Sequence, residues 1–402
     1  MTKKLPGWIL VLAVIFTANM AYAQITLDIT KDVESRTGIP ITVTPFGGRA
    51  PVDVAKVIAS DLQRTGKFSP QSAGAPSRYA VSGAVRRGGR HGYIVQFRLT
   101  EAQGQGNPLL NLSINASAKR LRPVAHYISD LIYERITGEK GVADTRIAFV
   151  AGGRGTWFLV VADADGQNPR VILRTRQPLM SPAWSPDGRR IAYVSFEGRR
   201  PQIIVQDVYS GVRQVVSAAP GINGAPSWSP DGRRLAVTLS KDGNPAIYAI
   251  DLSTLRAVRL TKHQSINTEA VWLPDGSIVF TSDRSGSPQL YRIGSRGGAA
   301  RRITNTGDYN ARPAVSPDGR HIAMVHRRGG RYHIAVLNLV NGQFQVLTPG
   351  GSYESPSFSP NGKFVIYSNG RRVEAVSLDG KIKQDFVLHG NVREPAWSPF
   401  SR

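Results

Sequence analysis

The stretch SPAWSPDGRRIAYVSFE, from Ser181 to Glu197, contains two strand-like pieces on either side of the turn Pro186-Asp187-Gly188. Proline presets φ for the first turn position, aspartate is tolerated at the second, and glycine accepts a positive φ. Residues 190–196 (RIAYVSF) have the pattern of a strand. The stretch therefore predicts a β-hairpin whose tight turn is fixed by local residue chemistry.

The same turn recurs at nearly constant spacing along the rest of the chain. Six copies read SPAWSPDG, APSWSPDG, EAVWLPDG, RPAVSPDG, SPSFSPNG and EPAWSPF. Their turn prolines are Pro186, Pro230, Pro274, Pro317, Pro360 and Pro399, so the spacing is 44, 44, 43, 43 and 39 residues. A period of this length with about four strands per unit is typical of a β-propeller.

One unit contains strands A, B, C and D, predicted at Pro182–Ser185, Arg190–Phe196, Gln202–Val208 and Arg213–Ser217. The first B-C-D set begins near residue 146 and has no strand A before it, whereas residues 395–398 form a strand A with nothing after it. Joining the two completes a sixth blade and covers both open edges. We therefore predict that the C-terminal strand closes the ring.

Residues 24–142 lack the repeat. Two amphipathic helices are predicted there, at Val52–Thr65 and Arg122–Thr137. The predicted strands are Ile25–Thr30, Pro40–Phe46, Tyr79–Val85, Tyr93–Thr100 and Leu109–Ala116. The prediction is a two-domain α+β protein with a small N-terminal α/β domain (24–142) and a six-bladed β-propeller (143–402) closed by the C-terminal strand.

The first residues have the order of a secretory signal peptide. Two lysines precede an apolar run over residues 5–20, which is followed by the small-x-small site Ala21-Tyr22-Ala23. This order predicts a signal peptide over residues 1–23, cleaved between Ala23 and Gln24. The alternative is an uncleaved anchor, for which the apolar run is short. The predicted location is a bacterial periplasm.

The whole pattern resembles the TolB family, periplasmic β-propeller proteins of the Tol–Pal system with WD40-like repeats. The matching stretches are PLMSPAWSPDG at 178–188, GAPSWSPDG at 224–232, FTSDRSG at 280–286 and the terminal PAWSP. The chain departs from the pattern in two ways. Val315 and Phe358 replace the tryptophan of the repeat, and a net charge of +23 is not expected from the family.

The resemblance implies a non-enzymatic adaptor, a monomer that has no cofactor or metal and does not span the membrane. The propeller is expected to bind the peptidoglycan-associated lipoprotein Pal, and a short N-terminal segment is expected to bind the inner-membrane protein TolA. Other Tol–Pal components and outer-membrane proteins are further candidate partners. The implied role is to support outer-membrane integrity and invagination during cell division.

The expected Pal site is the mouth of the propeller channel, where six D–A loops (177–184, 221–228, 265–272, 308–315, 352–358 and 391–397) converge. Its candidate residues are Met180, Asn223, Asn267, Glu269, Tyr309, Asn310, Arg312, Tyr353, Glu354, Arg393 and Glu394. Tyrosines are frequent anchors of protein interfaces, and mixed charges set orientation.

The expected TolA-binding segment is the predicted mature N-terminus. It comprises Gln24, Ile25, Thr26, Leu27, Asp28, Ile29, Thr30, Lys31, Asp32, Val33, Glu34 and Ser35. Its alternating apolar residues allow it to add as a strand to a sheet edge. The alternative is an ordinary first strand of its own domain.

Two other function classes are alternatives. A propeller hydrolase or peptidase-related enzyme would need a nucleophile elbow or a converging set of ligands. The chain has no G-x-S-x-G motif and no cysteine, its seven histidines occupy unrelated positions of the repeat, and the repeated turn aspartates are predicted to be structural.

The second alternative is a binder of nucleic acid or anionic surfaces. The mouth loops carry Glu269, Asp308, Glu354 and Glu394 against Arg312 and Arg393. Basic residues cluster instead near the A–B turns (Arg189, Arg190, Arg233, Arg234 and Arg320) and the B–C loops (Arg199, Arg200, Lys241, Arg327, Arg328, Arg371 and Arg372). A nucleic-acid groove would concentrate positive charge among aromatic residues. We therefore expect no nucleic-acid partner, whereas weak attraction to anionic lipid stays open.

Overall fold

A computed structural model of the protein describes residues 27–31, 38–89, 92–101, 107–153, 155–262, 264–386 and 391–400. The predicted signal peptide and its cleavage site between Ala23 and Gln24 lie outside these residues. In the described part of the chain, no helix has both the length and the apolar character needed to cross a membrane.

The N-terminal domain is a five-stranded sheet with two helices packed on one face. The sheet has the order β3-β2-β4-β5-β6, with β2 parallel to both β3 and β4. Its elements are β2 (Ile39–Val43), α1 (Val54–Arg64), β3 (Phe68–Gln71), β4 (Tyr79–Gly88), β5 (Gly92–Glu101), β6 (Leu110–Ser117), a 3-10 turn (Ala118–Arg120) and α2 (Leu121–Thr137). Asp53 caps α1 through the backbone N–H of Lys56 at 3.0 Å. The core lies between the helices and the sheet.

The rest of the chain forms a six-bladed propeller. From the inner to the outer strand, blade 1 comprises β30 (Val392–Trp397), β7 (Arg146–Gly153), β8 (Thr156–Asp163) and β9 (Arg170–Thr175), and blade 2 comprises β10 (Leu179–Trp184), β11 (Arg190–Ser195), β12 (Gln202–Asp207) and β13 (Arg213–Ser217). Blade 3 comprises β14 (Asn223–Trp228), β15 (Arg234–Leu239), β16 (Ala246–Asp251) and β17 (Ala257–Arg259), and blade 4 comprises β18 (Asn267–Trp272), β19 (Ile278–Ser282), β20 (Gln289–Ile293) and β21 (Arg301–Arg302). Blade 5 comprises β22 (Asn310–Val315), β23 (His321–Arg328), β24 (Arg331–Asn338) and β25 (Phe344–Val346), and blade 6 comprises β26 (Glu354–Phe358), β27 (Phe364–Ser368), β28 (Val373–Ser377) and β29 (Ile382–Phe386). The first strands of neighbouring blades contact one another around the ring.

The repeated Ser-Pro-Asp-Gly segment closes the hairpin between strands A and B of a blade. In blade 2, Ser185 Oγ donates to Asp187 Oδ1 at 2.5 Å and accepts from the backbone N–H of Arg190 at 2.9 Å. Asp187 also accepts from the backbone N–H of Arg189, and Gly188 has φ of 65°. The aspartate therefore has the structural role that the sequence predicted, since its acceptors are used within its own turn.

The tryptophan of the repeat joins one blade to the previous one. Trp228 Nε1 donates to the carbonyl of Ala183 in blade 2 at 3.0 Å, and Arg190 of blade 2 stacks 4.7 Å from the indole centroid. The same stacking joins Arg146 to Trp184 and Arg234 to Trp272. A cation over an indole contributes roughly 0.5–2 kcal/mol. Several arginines of this basic chain therefore serve the packing between blades.

The C-terminal strand closes the ring, as predicted. Strand β30 pairs antiparallel with β7, and Trp397 pairs with Ile147. Its indole Nε1 donates to Thr145 Oγ1 at 2.9 Å, while Trp184 of blade 2 donates to the carbonyl of Ala396 at 3.1 Å. The last described residues of the chain are therefore bonded both to the first blade and to the second.

The N-terminal domain packs against the side of the propeller that carries the A–B turns, which we name the turn face. Lys363 Nζ lies 2.7 Å from Glu139 Oε1, and Asn361 Nδ2 donates to the carbonyl of Lys140 at 3.0 Å. Gln384 donates to the carbonyl of Arg64 at 2.7 Å. These contacts are with blade 6, and Arg122 adds an ion pair to Asp165 of blade 1. In the described residues, the N-terminal domain therefore lies on the turn face and not at the channel mouth.

The N-terminal strand has a different partner from the one that the sequence suggested. A strand forms at β1 (Leu27–Lys31), but it pairs antiparallel with β29 and becomes the fifth strand of blade 6. The sequence prediction placed this strand in the N-terminal domain, and it also missed β3, whose FSPQ sequence has little strand character. Both strands lie at sheet edges, and tertiary contacts decide which strand pairs with an edge strand.

Candidate functional site

The six inner strands enclose a channel of roughly 770 Å³, whose lining runs from Met180 at the mouth to Pro186 and Pro317 at the turn face. Each inner strand contains a β-bulge, seen as a register shift, and one residue in the left-handed region. These residues are Ser181, Ala225, Glu269, Arg312, Ser355 and Glu394, with φ between 46° and 55°. A non-glycine residue in this region costs of order 1–3 kcal/mol, and such strain clusters at functional sites. Bulges re-aim side chains, and this ring of six is a candidate binding surface.

One side of the mouth holds a charge network around Arg312. Its Nε lies 3.2 Å from Glu269 Oε1, and its Nη1 lies 3.4 Å from Glu354 Oε2 and donates to Ser355 Oγ at 2.7 Å. Burial opposes the guanidinium charge, but the surrounding glutamates outweigh it and raise the pKa of Arg312. The side chain is therefore held in one position by two blades besides its own.

Glu394 is the most buried acid of the mouth, with 7% of its surface exposed. Its carboxylate accepts from the backbone N–H of Ser181 in the next blade. Burial raises the pKa of Glu394, partly offset by this hydrogen bond and by Arg312. The carboxylate of Glu269 makes the equivalent hydrogen bond to the next blade, since it accepts from the backbone N–H of Arg312 at 2.9 Å. The acids thus couple adjacent blades at the left-handed positions.

The other side of the mouth is apolar. Met180, Ile222 and Ile266 are 38%, 47% and 50% exposed, respectively, and Met180 and Ile222 line the channel. The sequence prediction included Met180 but not Ile222 or Ile266. The sequence could have identified these two isoleucines, because each directly precedes the asparagine that begins an inner strand. The mouth therefore has an apolar arc on blades 2–4 and a charged arc on blades 4, 5, 6 and 1.

The aromatic candidates are half-buried at the charged arc. Tyr309 packs edge-on against Tyr332 at 5.6 Å, and Tyr353 packs edge-on against Tyr367 at 5.3 Å. Arg393 lies over the Trp157 ring at 4.9 Å. These contacts fix the rings and leave part of each surface accessible.

Three candidate asparagines support loops from within. Asn223, Asn267 and Asn310 begin inner strands and are at most 2% exposed. Asn223 accepts from the backbone N–H of Ala219 at 3.1 Å and donates to the carbonyl of the same residue at 2.7 Å. Asn310 donates to Gln289 Oε1 and lies 2.9 Å from His326 Nδ1. We therefore expect these residues to shape the mouth rather than to touch a partner.

A second cluster of functional side chains lies between the two domains. His126 Nδ1 is 2.7 Å from Asp61 Oδ2, and its Nε2 is 3.7 Å from Asp163 Oδ2 and 3.9 Å from Asp165 Oδ2. Burial opposes a charged imidazole, but the three carboxylates outweigh it and raise the pKa of His126 to about 10. The imidazolium of the N-terminal domain therefore faces two carboxylates of blade 1.

Asp61, His126 and Asp165 are, within the described residues, the one group with three metal-type ligand atoms close together. Two further cations fill the same space, because Arg122 contacts both Asp163 and Asp165 and Arg64 is 4% exposed. Burial alone would raise the pKa of Asp165, yet the cations Arg64, His126 and Arg122 lower it. The charges are balanced without an added ion, which favours an ion network over a metal centre.

Comparison with protein families matches two segments that together make up most of the chain. Residues 25–79 match the family model described as the TolB amino-terminal domain, and residues 133–401 match the TolB beta propeller domain. The second match alone covers more than half of the chain.

Curated relatives and a solved structure agree with these matches. The chain is 54% identical to the Tol-Pal system protein TolB of Coxiella burnetii, over 100% of this chain and 99% of that protein. It is 52% identical to the Tol-Pal system protein TolB of Thioalkalivibrio sulfidiphilus, over 94% and 95% of the two chains. The crystal structure of TolB from Acinetobacter baumannii superposes with a TM-score of 0.86 at 39% identity, over 94% of this chain and 100% of that one.

Proposed function

This chain belongs to the TolB family, and from that premise we propose that it is a non-enzymatic periplasmic adaptor of the Tol–Pal system. In this proposal the channel mouth binds Pal and the N-terminal segment binds TolA. The chain works as a monomer without a cofactor, and it supports outer-membrane integrity and invagination during division. Nucleic acid is not a partner.

The Pal proposal rests on the composition and the position of the mouth. It is the entrance to a channel of about 770 Å³, bordered by six left-handed residues, with an apolar arc facing a charged arc. The N-terminal domain packs on the turn face and leaves the mouth open. A protruding segment of a partner can fill such a cavity with apolar contacts while charge pairs fix its orientation.

In the described residues, the mouth does not present a group of side chains typical of a catalytic site. The described residues that line the channel include no histidine, and its acids are engaged with Arg312 and with backbone N–H groups. The cluster around His126 lies between the domains, away from the channel. These observations support binding as the use of the mouth.

We expect the double substitution Glu269→Lys with Glu354→Lys to weaken Pal binding by well over tenfold. Both acids hold Arg312, so their reversal places three cations together and removes the negative part of the charged arc. Truncating a buried interfacial charge pair costs roughly 2–5 kcal/mol. Titration calorimetry with purified Pal measures the change in affinity.

The matched control is Arg189→Glu with Arg233→Glu, which reverses two exposed charges on the turn face. Pal affinity should stay within about threefold in this control, because rim charges far from an interface act weakly. If the turn-face pair abolished Pal binding and the mouth pair did not, the Pal site would be on the other face.

The N-terminal segment is suited to leave blade 6 and to pair with TolA, because it is an added strand at the edge of that blade. Leu27 pairs with Phe386 and Lys31 with Ile382 on the outer edge of blade 6. A five-residue edge strand makes main-chain hydrogen bonds on one side, and the same bonds can form with a partner strand. The predicted residues 24–26 and 32–35 lie outside the described part of the chain.

Deletion of residues 24–35 should abolish TolA binding and leave Pal binding within about threefold. The loss is confined to one edge strand, and four strands remain in blade 6. Pull-down and calorimetry with each partner separate the two activities in one protein. Unchanged TolA binding, or loss of the folded state, would contradict the assignment of this segment.

A further inference from the structure

The junction between blades 4 and 5 lacks the arginine–tryptophan stack that joins blades 1 and 2, blades 2 and 3, and blades 3 and 4. Where Arg146, Arg190 and Arg234 stack on the tryptophan of the following blade, blade 4 has Ser277 and blade 5 has Val315. Neither the guanidinium nor the indole is present there. A groove lies between these two blades on the turn face, and Ser277 is part of its lining.

An arginine faces into this groove from a position that is apolar elsewhere. Arg292 pairs with Val279 in the ladder of blade 4, and its side chain is 41% exposed. The counterparts in the other blades, none more than 6% exposed, are Val161, Val205, Ala249, Val336 and Ala375. Arg292 therefore places a partly exposed charge where the other five blades pack an apolar side chain.

The loop after Arg292 also differs from its counterparts. Blades 2 and 3 begin this loop with Asp207 and Asp251, whose carboxylates accept from backbone N–H groups, whereas blade 4 has Gly294. The segment RIGSRGGAARR, residues 292–302, contains four arginines and no acid. Arg301 lies directly opposite Arg292 in the ladder, and like charges in this arrangement repel.

The groove has a volume of roughly 510 Å³, and its described lining contains no aspartate or glutamate. Its basic lining residues are Arg292, Arg301 and Arg302, and its apolar wall comprises Ile293, Ile303, Leu337 and Leu339. Asp275 at the side of the groove pairs with Arg292, and Arg292 Nε donates to Ser277 Oγ at 2.8 Å. Arg301 and Arg302 are exposed and form no ion pair with any residue that the structure describes.

We propose that the groove between blades 4 and 5 binds the phosphate headgroup of an anionic phospholipid. Guanidinium groups pair with phosphate oxygens through directed hydrogen bonds, and an oxyanion there would relieve the repulsion between Arg292 and Arg301. The apolar wall suits the glycerol and first acyl carbons. Val340, in the blade 5 loop that borders the groove, is 75% exposed and can enter the headgroup layer.

The position of the groove permits such a contact. The N-terminal domain occupies the turn face at blades 6 and 1, and its ion pairs and hydrogen bonds to the propeller are with those blades. The groove opens at the junction of blades 4 and 5, outside this area. The Pal site proposed above lies on the opposite face, so the two sites do not compete for surface.

The test uses vesicle sedimentation with the chain beginning at Gln24. Vesicles of phosphatidylcholine mixed with phosphatidylglycerol should sediment the protein, and vesicles of phosphatidylcholine alone should not. Arg301→Gln with Arg302→Gln should lower the partition coefficient by roughly 25-fold, because each arginine near an anionic surface contributes a factor of about five. Arg292→Val, which restores the residue type of the other blades, should also weaken binding without lowering the melting temperature.

The matched control is Arg371→Gln with Arg372→Gln, an exposed adjacent pair in the B–C loop of blade 6, on the mouth side. It removes the same charge and should retain vesicle binding within about twofold. Equal loss in the two double variants would show diffuse attraction of a basic protein and overturn the proposal. Inorganic phosphate at constant ionic strength distinguishes the ligand source: thermal stabilisation by phosphate without sedimentation by anionic vesicles would reject the lipid.

Discussion

A chain that ends at Gly390 should lose about 5 kcal/mol of unfolding free energy or more, and its melting temperature should fall by roughly 10 °C or more. The truncation removes β30, the inner strand of blade 1. Trp397 is 6% exposed and Val392 is 1% exposed, so their loss opens a cavity in the core between blades 6 and 1. Replacing a buried tryptophan alone costs about 3–5 kcal/mol.

The loss extends to the neighbouring blades. Without β30, the backbone of β7 has no partner on its inner side, and Trp184 of blade 2 loses the carbonyl of Ala396. An unpaired inner strand is an aggregation edge, so the truncated protein should also lose solubility. Differential scanning calorimetry measures the transition, and a chain that ends at Phe400 serves as the control because it keeps β30. An unchanged melting temperature after truncation at Gly390 would contradict closure by this strand.

Replacement of His126 by alanine should destabilise the protein by about 3–5 kcal/mol, the cost of leaving a buried charge without its partner. The imidazole is 2% exposed, and it lies between Asp61 of α1 and the blade 1 carboxylates Asp163 and Asp165. The variant leaves Asp61 buried with fewer partners. The contacts between the domains should loosen, and proteolysis of the linker 138–144 should become faster.

The pH dependence of stability identifies the charge on His126. Its pKa is raised to about 10 in the folded protein, against about 6.5 in an unfolded chain. The folded state therefore binds the proton more tightly, and this stabilisation is complete below about pH 6.5 and is lost as pH rises toward 10. Burial raises the pKa of Asp130 to about 7, so that group affects stability mainly below pH 7.

The measurement is the melting temperature between pH 7.5 and 9.5. The wild-type protein should become less stable across this range, and the His126→Gln variant should show a flatter profile because glutamine does not titrate. The control is His333→Gln, since His333 is half-buried and contacts the carbonyl of Thr348 at 2.9 Å, and no described carboxylate forms an ion pair with it. A wild-type slope that persists in His126→Gln would show that other groups cause it.

The sequence by itself determined the propeller, its blade number and its closure. The reason is that a hairpin turn of proline, aspartate and glycine is encoded locally, as the contacts of Asp187 show, and each copy marks one blade. The strand A left over at the C-terminus and the B-C-D set left over near residue 146 specify their pairing by elimination. Local turn chemistry and a period are sufficient for this part of the fold.

The sequence could assign the mouth loops to one face but not the state of each side chain. Asn223 and Glu394 stand among the predicted contact residues, yet Asn223 is bound within its own loop and Glu394 bonds a neighbouring blade. Ile222 was not predicted and is exposed at the rim. Burial depends on how the loops of adjacent blades pack, and a single repeat does not encode that packing.

Only the tertiary structure decided the contacts between elements that are distant in the chain. The pairing of β1 with β29 joins residues more than 350 positions apart, and any exposed edge offers the same backbone hydrogen bonds to an alternating segment. The grouping of His126 with Asp163, and the groove between blades 4 and 5, likewise arise where two domains or two blades meet. Sequence patterns of period 2 or 3.6 specify which face of an element is buried, whereas the partner of that face is set by the closed ring and by the domain packed on it.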